Sequence, residues 1–288
     1  MAYTATAVAD WDSTKPVGTE TPSVLDDALR EIKVCVENDM RTQTQVQNDA
    51  AAAIPGLVIR PKFTYSTTSA ILIDPGIYHH QGTTEQLVFW DTQLTFTFGS
   101  GGSNSDSIDL AVSDWFYLYL DDSAIVTLGA NTVLTNSEFV ENITEPSWDV
   151  TDHAWMNGED RCIGAFRTDG SSNLLEFNHD GDLFQFADEI ADQTVVDIDA
   201  TFTDINALTI PKFATVAIVK FTITGGIWSW RTNGQTGSTG HIISTNLANV
   251  LPERVITDNS GLIELKKSAG GGDTVGCKTQ GWEFPIGL

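Results

Sequence analysis

Apolar and polar positions alternate most cleanly at Leu94-Thr95-Phe96-Thr97-Phe98, which predicts a strand with one buried face. Trp115 to Leu120 reads WFYLYL, a continuous bulky run that predicts a central strand covered on both faces. Further strands are predicted at Cys162 to Arg167, Val195 to Phe202, Phe213 to Thr224, Ile227 to Arg231 and Gly261 to Leu265. Most are separated by clusters of Gly, Asn, Asp or Pro, and Asp121-Asp122 turns the chain after the bulky run. Many short strands with such punctuation predict a mainly β chain of β-sandwich or jelly-roll-like architecture. No repeat of fixed period is visible, which argues against a β-helix. A weak break at 192–208 divides the β region into parts spanning 55–192 and 193–288.

The pattern before residue 55 is different. Ser23 with Asp26 three positions on fits a helix-capping pair, and Asp26 and Asp27 place negative charge in a first turn, where the helix dipole favours it. Asp26 with Arg30 and Glu37 with Arg41 are acid-to-base pairs at i,i+4 spacing. Leu25, Leu29, Ile32 and Val36 follow the 4-3-4 spacing of a heptad seam, so a helical stalk over 23–54 is predicted, with these four residues packing a trimer axis. Pro55 and Gly56 close the helix. The seam is too short to hold chains together alone, and packing of the helix on its own domain is the competing reading. Residues 1–22 carry Pro16, Gly18 and Pro22 and keep no period. They predict an extended docking arm anchored by Tyr3, Trp11 and Pro16, with an unstructured terminus as the alternative.

Composition narrows the function. Of 288 residues, 41% are hydrophobic, enough for a large core. Fifteen basic residues face 39 acidic ones, a formal net charge of −24. That balance excludes a phosphate-neutralising nucleic-acid surface and disfavours anionic membranes. No apolar run approaches the roughly 20 residues that span a bilayer, so no membrane insertion is expected. The opening MAYTATAVAD lacks the basic and apolar regions of a secretory signal, so synthesis in a cytoplasm is expected. Cys35, Cys162 and Cys277 have no metal or redox spacing and read as three reduced thiols, an inter-chain bridge at Cys35 being the alternative.

Candidate chemistry is sparse. Asn178-His179-Asp180-Gly181-Asp182 offers oxygens to a cation, but the spacing fails the EF-hand pattern and an Asp-Gly hairpin turn fits better. Asp197, Asp199 and Asp204 fit a solvated sheet face more readily than a pair of glycosidase carboxylates. The five histidines show no metal-ligand spacing, and neither a nucleophile elbow nor a phosphate loop is present. No catalytic residue, metal site or cofactor is expected. Trp230, Arg231, Asn233 and Gln235 lie beside a glycine-rich loop and are candidate glycan-binding residues: the ring would stack on a sugar and the amides would bond its hydroxyls. The competing reading is a core pair of Trp228 and Trp230 next to an ordinary turn.

Trp11 to Lys33, W-D-x-x-x-P-x-G-x-x-x-P-S-x-L-D-D-x-L-R-E-I-K, resembles the N-terminal segment of phage tail-fibre and virion-fibre proteins. Asp114 to Val126, Trp155 to Arg161, Trp230 to His241 and Gly281 to Pro285 are similar to blocks in the same proteins. The resemblance implies a homotrimeric structural protein of a phage virion, attached to tail, baseplate or capsid proteins. Its β head would face outward toward a host-surface glycan. An architectural decoration or cap protein without a receptor, and a fibre with glycan-depolymerase activity, are the alternatives.

Overall fold

In the computed structural model, the described residues are 58–103, 109–128, 133–198, 200–244, 252–268, 273–285 and 287–288. The predicted arm, the helical stalk, Tyr3, Trp11, Pro16, Leu25, Leu29, Ile32, Val36 and Cys35 lie outside them, as does Asp199. The described part is mainly β. Its strands are β1 (Val58–Ile59), β2 (Phe63–Thr67), β3 (Ala70–Ile73), β4 (Gly76–Gln81), β5 (Glu85–Trp90), β6 (Leu94–Thr97) and β7 (Trp115–Leu120). After a short helix α1 (Asp122–Ile125) come β8 (Phe139–Asn142), β9 (Ser147–Asp149), β10 (Ala154–Asn157), β11 (Asp160–Arg167), β12 (Phe177–Asp180) and β13 (Leu183–Val196). The remainder are β14 (Thr203–Asp204), β15 (Val216–Ile223), β16 (Trp228–Thr232), β17 (His241–Ser244), β18 (Glu253–Ile256), β19 (Ile263–Lys267) and β20 (Val275–Glu283).

These strands form five sheets, with orders β1-β4-β5, β2-β3-β6, β8-β7-β11-β10-β9, β12-β13-β20-β15-β18 and β14-β19-β16-β17. Neighbouring strands pair antiparallel throughout, both in hairpins such as β4–β5 and between strands distant along the chain such as β13 and β20. The bulky run Trp115–Leu120 is an interior strand, buried from Phe116 to Leu120. Sequence and structure differ at Val195 to Phe202, where one strand is expected. There β13 ends at Val196 and a two-residue strand begins only at Thr203. The break expected between 192 and 193 falls inside β13, and Pro55–Leu288 cluster as one compact unit.

Aromatic rings tie the sheets together. Phe63 of β2 meets Phe166 of β11 edge-on at 5.3 Å, and Phe166 meets Phe184 of β13 at 6.0 Å. Phe184 stacks on Trp282 of β20 at 5.2 Å, and Trp282 meets Phe213 at 5.6 Å. Trp90 of β5 packs edge-on against Phe139 of β8 at 5.1 Å. Such contacts add about 1 kcal/mol each beyond the apolar area they bury. Cys162 and Cys277 are free and buried, and burial pushes both thiols well above their ordinary range.

Candidate functional site

Among the described residues, a charged depression lies on the face of the β12-β13-β20-β15-β18 sheet that carries Lys220 and Lys278. Along β15, Ala217, Val219, Phe221 and Ile223 are buried, while Val216, Ile218, Lys220 and Thr222 are half-buried on the opposite face. The β15–β20 register sets Lys220 across from Lys278, Phe221 across from Cys277 and Thr222 across from Gly276. Cross-strand partners share a face, so both lysines point outward while Cys277 turns to the core with Phe221.

On the other side of β20, β13 does not keep register. The pairing shifts between Gln185 and Ile190, between Ala191 and Gln193, and between Gln193 and Val196. Extra residues in one strand bend it and break the ladder locally. At this bend a cavity of about 410 Å³ opens, lined by Ala191, Gln193, Thr194, Lys220, Thr222, Gly276, Cys277 and Lys278.

Two opposed lysines repel each other. Glu189, from the same bent stretch of β13, offsets this. One carboxylate oxygen accepts from Lys220 Nζ at 2.6 Å and from Gln280 Nε2 at 2.9 Å; the other accepts from Lys278 Nζ at 3.1 Å. The Lys220 hydrogen bond, reinforced by Lys278 and Gln280 and opposed by desolvation, holds the Glu189 carboxyl down to about 2. Glu189 is therefore ionised at neutral pH, and the group carries two positive charges against one negative.

A second carboxylate fixes the bend from the inner side. Asp192 accepts from Thr209 N at 2.9 Å and Oγ1 at 2.5 Å, and from Thr279 N at 2.9 Å and Oγ1 at 2.5 Å. Burial pushes its pKa up, against these four hydrogen bonds. With all its bonds directed at Thr209 and Thr279, Asp192 holds the walls rather than facing the cavity.

A cavity of about 350 Å³ lies between the edge strands β2 and β12, lined by Lys62, Phe63, Thr64, Phe177, Asn178, His179 and Asp180. His179 Nδ1 accepts from Phe63 N at 2.9 Å, so its proton sits on Nε2, which donates to Gly181 O at 3.0 Å. Desolvation pushes its pKa down to about 4. This neutral imidazole bridges two sheets. Asp180 pairs with Leu183 across a two-residue turn in which Gly181 has φ +61°, so the expected hairpin forms, with Gly181-Asp182 rather than Asp180-Gly181 as its turn residues. Asp182 pairs with Arg60 at 2.5 Å. Among the described residues no group of three or more His, Cys, Asp and Glu side chains is placed to hold a metal ion.

His80 and Asp122 form a pair with catalytic appearance, His80 Nε2 lying 2.9 Å from Asp122 Oδ1. Asp122 also accepts from Thr83 N at 3.0 Å and Oγ1 at 2.6 Å. His80 is fully buried, and Gly82 packs so closely that a Cβ there would lie 2.0 Å from Asp122 Oδ1. The pair clamps the β4–β5 hairpin to α1 and offers no approach to a substrate.

Trp230 is 3% exposed and Trp228 fully buried, so neither ring has a free face for a sugar. Trp230 Nε1 donates to Glu253 at 2.9 Å, and its ring stacks on His241 at 4.5 Å. Arg231 pairs with Glu264, donates to Gly237 O at 2.8 Å and lies 4.1 Å over the Phe202 ring. Asn233 donates to Asp258 at 2.8 Å, and Gln235 is exposed. The core-pair reading thus describes the tryptophans, and Arg231 and Asn233 brace the glycine-rich loop. The sequence pattern does not reveal the charged cavity: it places Lys220 and Thr222 in a strand but gives no strand signal at Glu189, Ala191, Gln193, Thr194, Gly276 or Lys278. Comparison of the chain with protein-family models, curated proteins and solved structures finds no match.

Proposed function

We propose that the chain is a non-enzymatic structural fibre protein of a phage virion, a homotrimer that displays its β-rich part for attachment to a host surface. In this reading residues 1–22 dock on other virion proteins and 23–54 form the helical stalk. The five antiparallel sheets make a sandwich or jelly-roll-like head. The observation that carries the reading is the charged cavity on an open sheet face. It can hold a surface ligand, while of its two adjacent carboxylates Glu189 is kept ionised near neutral pH, unfit to act as a general acid, and Asp192 is committed to Thr209 and Thr279. Binding without cleavage is the chemistry such a site favours, and display in several copies would multiply weak contacts into avidity. The Trp11–Lys33 segment supports the virion setting.

Sedimentation of the purified chain tests the assembly: a trimer is expected, and a monomer would overturn the fibre. Deletion of residues 1–22 is expected to leave a folded head that no longer joins virions.

A further inference from the structure

We infer that the cavity between β13 and β15 binds the carboxylate of an acidic saccharide, held by Lys220 and Lys278 together. The inference deepens the display reading and rests on it for the setting in which the ligand is met.

The argument begins with an anomaly of charge. In a chain with 15 basic and 39 acidic residues, two lysines stand directly opposed on neighbouring strands. An opposite-charge pair there would stabilise the sheet, whereas a like pair does not. Glu189 neutralises one of the two charges, and Asp192 turns its oxygens to Thr209 and Thr279, so the two lysines line the cavity as its cationic groups on a strongly negative molecule. Each ammonium has three donors, and the hydrogen bonds to Glu189 use one from each. The remaining donors point to an anion with two oxygens, as the two lysines already grip one such group in Glu189.

The ligand must be larger than a carboxylate. The cavity of about 410 Å³ lies within the range of small-molecule sites, roughly 300–1,000 Å³. Thr194 and Thr222 supply hydroxyls to its walls, and Ala191 and the lysine stems supply apolar surface. Alternating hydroxyls and C–H faces are the surface of a sugar ring. Substrate chemistry is not built in, because Asp192 is committed to Thr209 and Thr279 on the far side of the strand.

The test uses the full chain titrated calorimetrically with sodium glucuronate, with glucose as the uncharged match and inorganic phosphate as a bare anion. Glucuronate is expected to bind about tenfold more tightly than glucose, and Lys220→Met or Lys278→Met to weaken it about tenfold, each variant still melting cooperatively. Glu189→Gln is expected to strengthen binding several-fold, which a merely structural role for Glu189 would not do. Glucuronate and glucose binding alike, or lysine variants binding as the native chain does, would overturn the inference. Phosphate matching glucuronate would overturn the saccharide part. Sedimentation keeps the two readings apart: a trimer that ignores glucuronate sinks only the ligand, and a monomer that binds it sinks only the fibre.

Discussion

Asp192 accepts both donors of Thr279, the amide at 2.9 Å and the hydroxyl at 2.5 Å, and so ties the bent strand β13 to β20. The same carboxylate holds Thr209 in the same way. Asp192→Asn replaces an acceptor-only group by one that must direct N–H donors at other donors. A loss of about 3 kcal/mol is expected in urea unfolding, with glucuronate binding weakened as the wall loosens. A loss below about 0.5 kcal/mol would show that the bend is held by other contacts.

Gly281 lets β13 and β20 approach each other. A Cβ there would lie 2.1 Å from Phe184 O and 2.9 Å from Gln185 Cα, both backbone atoms that cannot swing aside. Gly281→Ala is expected to cost more than about 3 kcal/mol or to prevent folding. Gly237→Ala, where nothing lies within 4 Å, is the control and should stay within about 0.5 kcal/mol of the native chain. Circular-dichroism melts distinguish them.

Trp230→Ala should destabilise by about 3–5 kcal/mol, because it empties a core position and leaves Glu253 without its indole donor. If the ring instead served a surface sugar, chemical denaturation would register almost no change.

His179 predicts a pH dependence. In the fold it protonates only at about 4, against 6.5 for the ordinary group. Between those values the unfolded chain binds the extra proton, so stability falls as pH falls through this window. His79 and His80, both lowered by desolvation, act in the same direction. Glu189 adds a further loss from 4.5 down toward about 2, as its bonds to the lysines and Gln280 are broken by protonation. Asp160 and Asp192, raised by burial, act oppositely. His179→Gln should unfold more easily at neutral pH yet lose about 2 kcal/mol less than the native chain between about pH 7 and about pH 5. An equal loss of unfolding free energy in the variant and the native chain between the two pH values, read from urea titrations, would refute the assignment.

Strands that bury one or both faces in a regular way were legible. Trp115–Leu120 is a strand with the expected bounds, and Leu94–Thr97, Asp160–Arg167, Val216–Ile223 and Trp228–Thr232 lie within a few residues of their predicted positions. β13 and β20 were not legible. β13 reads LFQFADEIADQTVV, and its shifts in register break the alternation that marks a strand. β20 carries Gly276, Lys278, Gln280 and Gly281, residues poor in strand propensity whose place is set by two flanking partners. The cavity stands between these two strands and β15, so it stayed hidden with them.

By itself the sequence determined the strand-rich character of the chain, the hairpin around Gly181 and the excess of negative charge, because alternation, turn chemistry and composition are local or additive. Only the tertiary structure decided that Lys220 faces Lys278, that Glu189 lies between them, and that Trp230 is buried while Gln235 is not. Strand order and register are set by packing between segments distant along the chain, and a residue's face says nothing about its neighbour until that pairing is known.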